Sequence, residues 1–256
     1  MDKVKTGDIL FFSNNTATGF LLRTCVSTMW NHVGIAIRVH SSTDQYDHEH
    51  ERISLTEEGQ LYVLEINTGK RRDALSGNTM VGAAFSSLDV ISQRYNFVAV
   101  RRLHDNFRTP ELAKNTVEFA DKYRGYEFTK GVLPFISVWL GIPLAGTETR
   151  NETSEMFCSE MCALYYNECV GPITQKMSGI KYDGNLKTLF GIEAPVYPNM
   201  YSPEIFTWTL TPNSAIFDGD EQVVYHAEAD IGVVLFQPIV IIFTIIVLIA
   251  MSLKYT

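Results

Sequence analysis

Cys158, His32 and Glu65 are the three side chains of this sequence that can share the work of a nucleophilic reaction. A thiol attacks poorly until it loses its proton, and both a neighbouring imidazole and the partial positive charge of a helix N-terminus favour the thiolate. The imidazole needs an acceptor on its second nitrogen to fix its tautomer, and a carboxylate there also stabilises the imidazolium. Cys158 falls in the first turn of a predicted helix, His32 opens the alternating run HVGIAIRV, and Glu65 lies between Leu64 and Ile66 in the run YVLEIN. If those runs are adjacent strands with His32 opposite Glu65, the two Cβ atoms stand about 4.5–5.5 Å apart. Taken singly, each residue has an ordinary reading: a core cysteine, a structural histidine, a solvated strand glutamate.

The other reactive side chains read as bystanders. Four cysteines (Cys25, Cys158, Cys162, Cys169) in 256 residues make no disulfide framework and match no zinc spacing, so reduced thiols are expected. His40, His48 and His50, with Asp44, Asp47, Glu49 and Glu51 between them, read as a solvated loop rather than a metal centre. No metal and no cofactor is expected.

The elements that must position the three residues follow from periodicity. Gly7-Asp8 opens a short buried strand, Ile9-Leu10-Phe11-Phe12, with a polar turn after it. A short helix is predicted over 20–29, and strands over 32–39, 62–67 and 96–103, the last three able to form an antiparallel sheet. Thr109-Pro110 starts a helix that stops at Gly125. A second helix fits 154–168, with Phe157, Met161, Leu164 and Tyr165 on its buried face and Gly171-Pro172 ending it. No internal repeat is present, and the class is α+β.

Composition bounds the rest. A hydrophobic fraction of 46% fills one sizeable core, and 21 Lys+Arg against 29 Asp+Glu give a charge of −8, which opposes attraction to nucleic acid. Residues 231–253 (IGVVLFQPIVIIFTIIVLIAMSL) carry no formal charge. As a helix they reach roughly 34 Å against about 30 Å of hydrocarbon, which predicts a transmembrane anchor. The division is a domain over 1–210, an acidic linker over 211–230 with five acids and no Lys or Arg, and the anchor. MDKVKTGDIL, with four charges before any apolar run, is no signal peptide. Lys254 alone weakly favours a cytoplasmic C-terminus, but the missing signal and the reduced cysteines outweigh it. A tail-anchored protein with a cytosolic N-terminal part is expected.

With these residues in hand the sequence resembles the circularly permuted NlpC/P60 cysteine hydrolases, a papain-like branch that includes YiiX-type bacterial proteins and poxvirus relatives. TGDILFF, RTCVSTMWNHVGIAI and LYVLEINTG resemble the opening Gly-Asp strand, the Ser-x-x-x-His-Val-Gly segment and the Val-Leu-Glu-Ala strand of that family. YNFVAVRRL, YRGYEF, MFCSEMCALYY and YSPEIF resemble its later pieces, in order. Tyr126-Glu127 stands where the family usually has Tyr-Asp, and 136–152 is a longer insertion. The resemblance implies a permuted papain-like fold in which His32 is the general base, Glu65 its orienting partner and Cys158 the nucleophile of a hydrolase or acyltransferase. Its substrate would be a peptide or lipid acyl group. Two alternatives stand beside this: a catalytically silent lipid- or protein-binding module, and a structural membrane protein of a large DNA virus.

Overall fold

The computed structural model describes residues 3–14, 29–39, 59–129, 155–178, 182, 186–191, 203–207, 210–212 and 214–226. In chain order the strands are β1 (Ile9–Ser13), β2 (His32–Val39), β3 (Gln60–Arg72), β4 (Thr79–Ser87), β5 (Phe97–Leu103), β6 (Glu127–Phe128), β7 (Glu155–Met156) and β8 (Phe217–His226). The helices are α1 (Leu88–Arg94), α2 (Pro110–Tyr123), α3 (Cys158–Tyr165), α4 (Gly171–Ser178) and α5 (Leu186–Phe190). Six strands form one antiparallel sheet in the order β4-β3-β2-β1-β5-β8, while β6 and β7 pair in parallel. An antiparallel sheet packed on helices is the α+β class expected.

Alternation sorts the strand residues into two cores. Ile9, Phe11, Val33, Ile35, Leu64 and Ile66 join the larger one with Leu112 and Phe119 of α2 and Met161 and Tyr165 of α3. Leu10, Phe12, Ala36, Val63, Val98 and Val100 form the smaller one on the opposite face, covered by Ile91 of α1 and by Tyr95. Burial on both faces is why β1 reads as an unbroken apolar run. Helix α2 starts where expected: the Thr109 hydroxyl accepts from Leu112 N–H at 3.2 Å, and Pro110 sits where a missing N–H costs nothing. Its buried residues, Leu112, Thr116, Phe119, Ala120 and Tyr123, return at helical spacing.

Three expectations change. The helix predicted over 154–168 begins at Cys158, because Glu155–Met156 pair with Glu127–Phe128 as β7. Nor does Gly171-Pro172 end it: Tyr166–Val170 form a π-helical turn that runs straight into α4. Pro172 falls in the first turn of α4, where it is tolerated. Gly171 serves close approach instead, since a Cβ there would meet the Tyr182 ring at 2.2 Å.

The third change concerns the acidic linker over 211–230. Its stretch Phe217–His226 is the outermost strand, β8, paired with β5. An edge strand keeps one side in solvent, so Asp218 and Asp220 remain exposed without cost to the core. Arg101 of β5 stitches this segment down. Its buried guanidinium donates to the carbonyls of Gly219 (3.0 Å), Phe206 (2.9 Å) and Thr211 (2.7 Å), and lies 4.6 Å from the centre of the Phe217 ring.

Among the described residues no helix is long and apolar enough to cross a membrane. The stretch 231–253 lies outside them, as do Cys25, nearly all of the helix expected over 20–29, the loop carrying His40, His48 and His50, and the insertion 136–152.

Candidate active site

β2 and β3 are neighbours, with Ile35 opposite Leu64 and Ala36 opposite Val63. Continued by one residue, that register sets Gly34, not His32, directly across from Glu65. His32 lies diagonally from Glu65 on the same face, and its Nε2 reaches Glu65 Oε2 at 2.7 Å. The expected pair therefore forms, by a diagonal rather than a direct contact.

Glu65 is fully buried, and an isolated carboxylate in that position would cost several kcal/mol. Four other side chains besides His32 offset this. Oε1 accepts from Arg71 Nη1 and Ser86 Oγ, both at 2.6 Å, and from Arg94 Nη1 at 3.5 Å; Oε2 accepts from Tyr95 Oη at 3.2 Å. Burial pushes the Glu65 carboxyl up, but His32, Arg71 and Ser86 together hold it well below the usual carboxylate range. Arg71 is six residues from Glu65 along β3 yet touches it, because the β3–β4 register shifts between Asn67 and Lys70. Glu65 faces Ala84 and Arg71 faces Met80, so only four β4 positions separate them. The span falls from ~20 Å to ~13 Å at a strand's rise per residue. The guanidinium also donates to the carbonyls of Gly82 (3.1 Å) and Ala84 (2.9 Å) on β4.

Two aromatic rings also pack against the imidazole. Tyr95 stacks on it at 5.7 Å and 10° between planes, and Phe12 packs at 5.6 Å from it and 4.7 Å from Tyr95. Burial pushes the Tyr95 phenol well above its ordinary value, as does the Glu65 charge, so it remains a donor.

Cys158 is the first residue of α3, and it belongs to the larger core on the other face of the sheet. Glu160 accepts from Phe157 N–H at 3.1 Å, the half of a capping box that a phenylalanine cap permits. The His32 ring and the N–H groups of Val33 and Ser159 surround the sulfur and act on its charge. With Nε2 committed to Glu65, Nδ1 is the nitrogen left for the sulfur. Burial pushes the thiol up, yet the neighbouring imidazolium and the Val33 and Ser159 N–H dipoles bring it below its ordinary value. Burial pushes His32 down, but the Cys158 thiolate and Glu65 raise it to about 9. The result is a row of alternating charges, Arg71, Glu65, His32 and Cys158, that favours the thiolate–imidazolium pair.

All three residues singled out in the sequence thus meet. Arg71, Ser86, Arg94 and Tyr95 went unnoticed. One signal for Arg71 was available: a glutamate flanked by apolar residues on a buried strand requires a cation on its own face. Cys162 and Cys169 are buried thiols pushed up by desolvation. Among the described residues no group of three or more His, Cys, Asp or Glu side chains is placed to hold a metal ion.

No protein-family model matches the sequence, and no curated protein matches it. Among solved structures the chain is similar to the metalloprotein yiiX from Escherichia coli O157:H7, at 14% sequence identity and a TM-score of 0.46, over 88% of this chain and 98% of that one.

Proposed function

We propose that the chain is a thiol hydrolase or acyltransferase acting on an amide or ester carbonyl, with Cys158 as nucleophile, His32 as proton carrier and Glu65 as the partner that orients the ring. The observation that carries this reading is the buried 2.7 Å contact from His32 Nε2 to Glu65, with the Cys158 sulfur near enough for ring and thiol to shift each other's proton affinity. The Cys158 thiolate attacks the carbonyl carbon and the carbonyl electron pair moves onto oxygen, where main-chain N–H groups at the start of α3 receive it. As the oxyanion collapses, the His32 imidazolium gives its proton to the departing nitrogen or oxygen and leaves a thioester. Water or a second acceptor then attacks, His32 takes its proton, and the thiolate departs. The resemblance to permuted NlpC/P60 hydrolases supports the same roles in the same chain order and a papain-like fold. Residues 231–253 anchor this part to a membrane from the cytosolic side, which suits a peptide or lipid acyl substrate held there. Labelling with an acyl-type electrophile tests the chemistry: the parent reacts, His32→Ala reacts far more slowly, and Cys158→Ala not at all. Equal labelling of parent and Cys158→Ala ends this reading.

The 7% exposure of Cys158 favours a second reading, a catalytically silent module that binds an acyl chain or a protein partner. Its signature is an unlabelled parent whose co-purified lipid is retained equally by Cys158→Ala.

A further inference from the structure

The order of strands fixes where the C-terminal apolar stretch leaves the fold. His32 of β2 faces Phe12 of β1, Phe12 faces Val98 of β5, and Val98 faces Tyr225 of β8. These four residues form one row across the sheet, so three strand spacings, ~14 Å, separate His32 from Tyr225. β8 then ends at His226, at the same end of the sheet as His32 and the sulfur beside it. Four residues, 227–230, separate His226 from the apolar stretch, and fully extended this tether reaches at most ~17 Å.

We infer that the end of the sheet carrying His32 and Cys158 rests against the bilayer surface, so that the carbonyl attacked lies at headgroup depth. This rests on the anchor and the thiol chemistry proposed above, and adds the orientation between them. Two opposite orientations fail on distance and charge. To set the far end of the sheet against the bilayer, the chain would have to run back along β5, whose six steps from Phe97 to Leu103 cover ~20 Å, more than the tether spans. To lie on its β8 edge, the domain would press the exposed Asp218 and Asp220 into the headgroups. The His32 end instead offers Met29, three residues before His32 and 63% exposed. A charge of −8 selects a zwitterionic surface over an anionic one.

The test uses the full chain in phosphatidylcholine vesicles, with an environment-sensitive fluorescent amino acid encoded at Met29 or at Asp105. Asp105 has a 73% exposed side chain just beyond the far end of β5. Brominated phosphatidylcholine should quench the label at Met29 severalfold more than the label at Asp105. Equal quenching, or stronger quenching at Asp105, overturns the orientation while leaving the anchor and the chemistry standing. If the chain does not float with the vesicles at all, the anchor fails and the orientation falls with it; thiol labelling in the same samples reports separately on the chemistry.

Discussion

Gly34 stands directly across the β2–β3 pair from Glu65, and a Cβ at Gly34 would come within 3.2 Å of the Glu65 Cβ. It would also lie 2.7 Å from Val63 Cγ1 and 3.0 Å from the Leu64 carbonyl oxygen. The absent side chain leaves the space across which Glu65 leans toward His32.

Gly34→Ala should therefore act on packing and on the site together. Forcing a methyl into a filled interior costs about 1–3 kcal/mol, read as a lower denaturant midpoint. Displacing Glu65 should slow alkylation of Cys158 in the fraction that remains folded. Loss of stability with an unchanged alkylation rate would separate the glycine from the site.

Cys158 should be alkylated ahead of Cys162 and Cys169, since its thiol is lowered and theirs are raised. The imidazolium that supports the thiolate is lost as pH rises through about 9, so proton donation to a leaving group falls off there. Glu65 contributes stability above the ordinary carboxylate range, because its folded value is depressed, and that contribution disappears as pH falls. Acid unfolding of Glu65→Gln should be correspondingly less steep. Peptide mapping after brief alkylation, together with melts across pH, checks all three.

Removing a buried cation raises the value of every neighbouring titratable group. Arg71→Met should move both limbs of the Cys158 pH–reactivity profile to higher pH, by about one unit for a charge one residue removed from the pair. Arg71→Lys should stay close to the parent. A profile that loses height without moving would make Arg71 structural only. Ultraviolet absorbance of the thiolate, with Cys158→Ala subtracted, follows the change without any substrate.

Shortening the chain separates the sheet from the proposed anchor. A protein ending at residue 230 should keep β8 and remain folded, and should pass from the membrane pellet to the supernatant. One ending at residue 210 loses Thr211, Gly219 and Phe217, leaving the Arg101 guanidinium only the Phe206 carbonyl of the partners named above. A buried charge stripped of most of its partners costs up to about 3–5 kcal/mol, so this shorter protein should unfold at lower denaturant. Equal midpoints for the two would show that β8 is dispensable.

Much of this arrangement was legible in the sequence because the informative signals are local. Strict alternation in HVGIAIRV and YVLEIN exposed both strands, and the spacing of Leu112, Phe119 and Tyr123 exposed α2. β4 left little trace, since Gly82, Ala83 and Ala84 have weak strand preference and are kept in place by their neighbours. β8 was hidden by its acids, which solvent accepts at a sheet edge. Arg71 was hidden by a bulge, which breaks the count of residues on which face assignment depends. Side-chain types announced the three candidate residues, while their diagonal register belongs to strand pairing and cannot be read from either strand alone.

The imidazole packs against Phe12 and Tyr95 of the smaller core, whereas the sulfur belongs to the larger one on the opposite face. Completing the site therefore requires the helical layer to be docked on the sheet, across a long loop closure. Reactivity of this thiol accordingly reports whether that docking has occurred. A collapsed intermediate with its strands paired and its helices loose would carry a sluggish sulfhydryl, and the moment of docking would register as a jump in alkylation rate while the circular dichroism stays level.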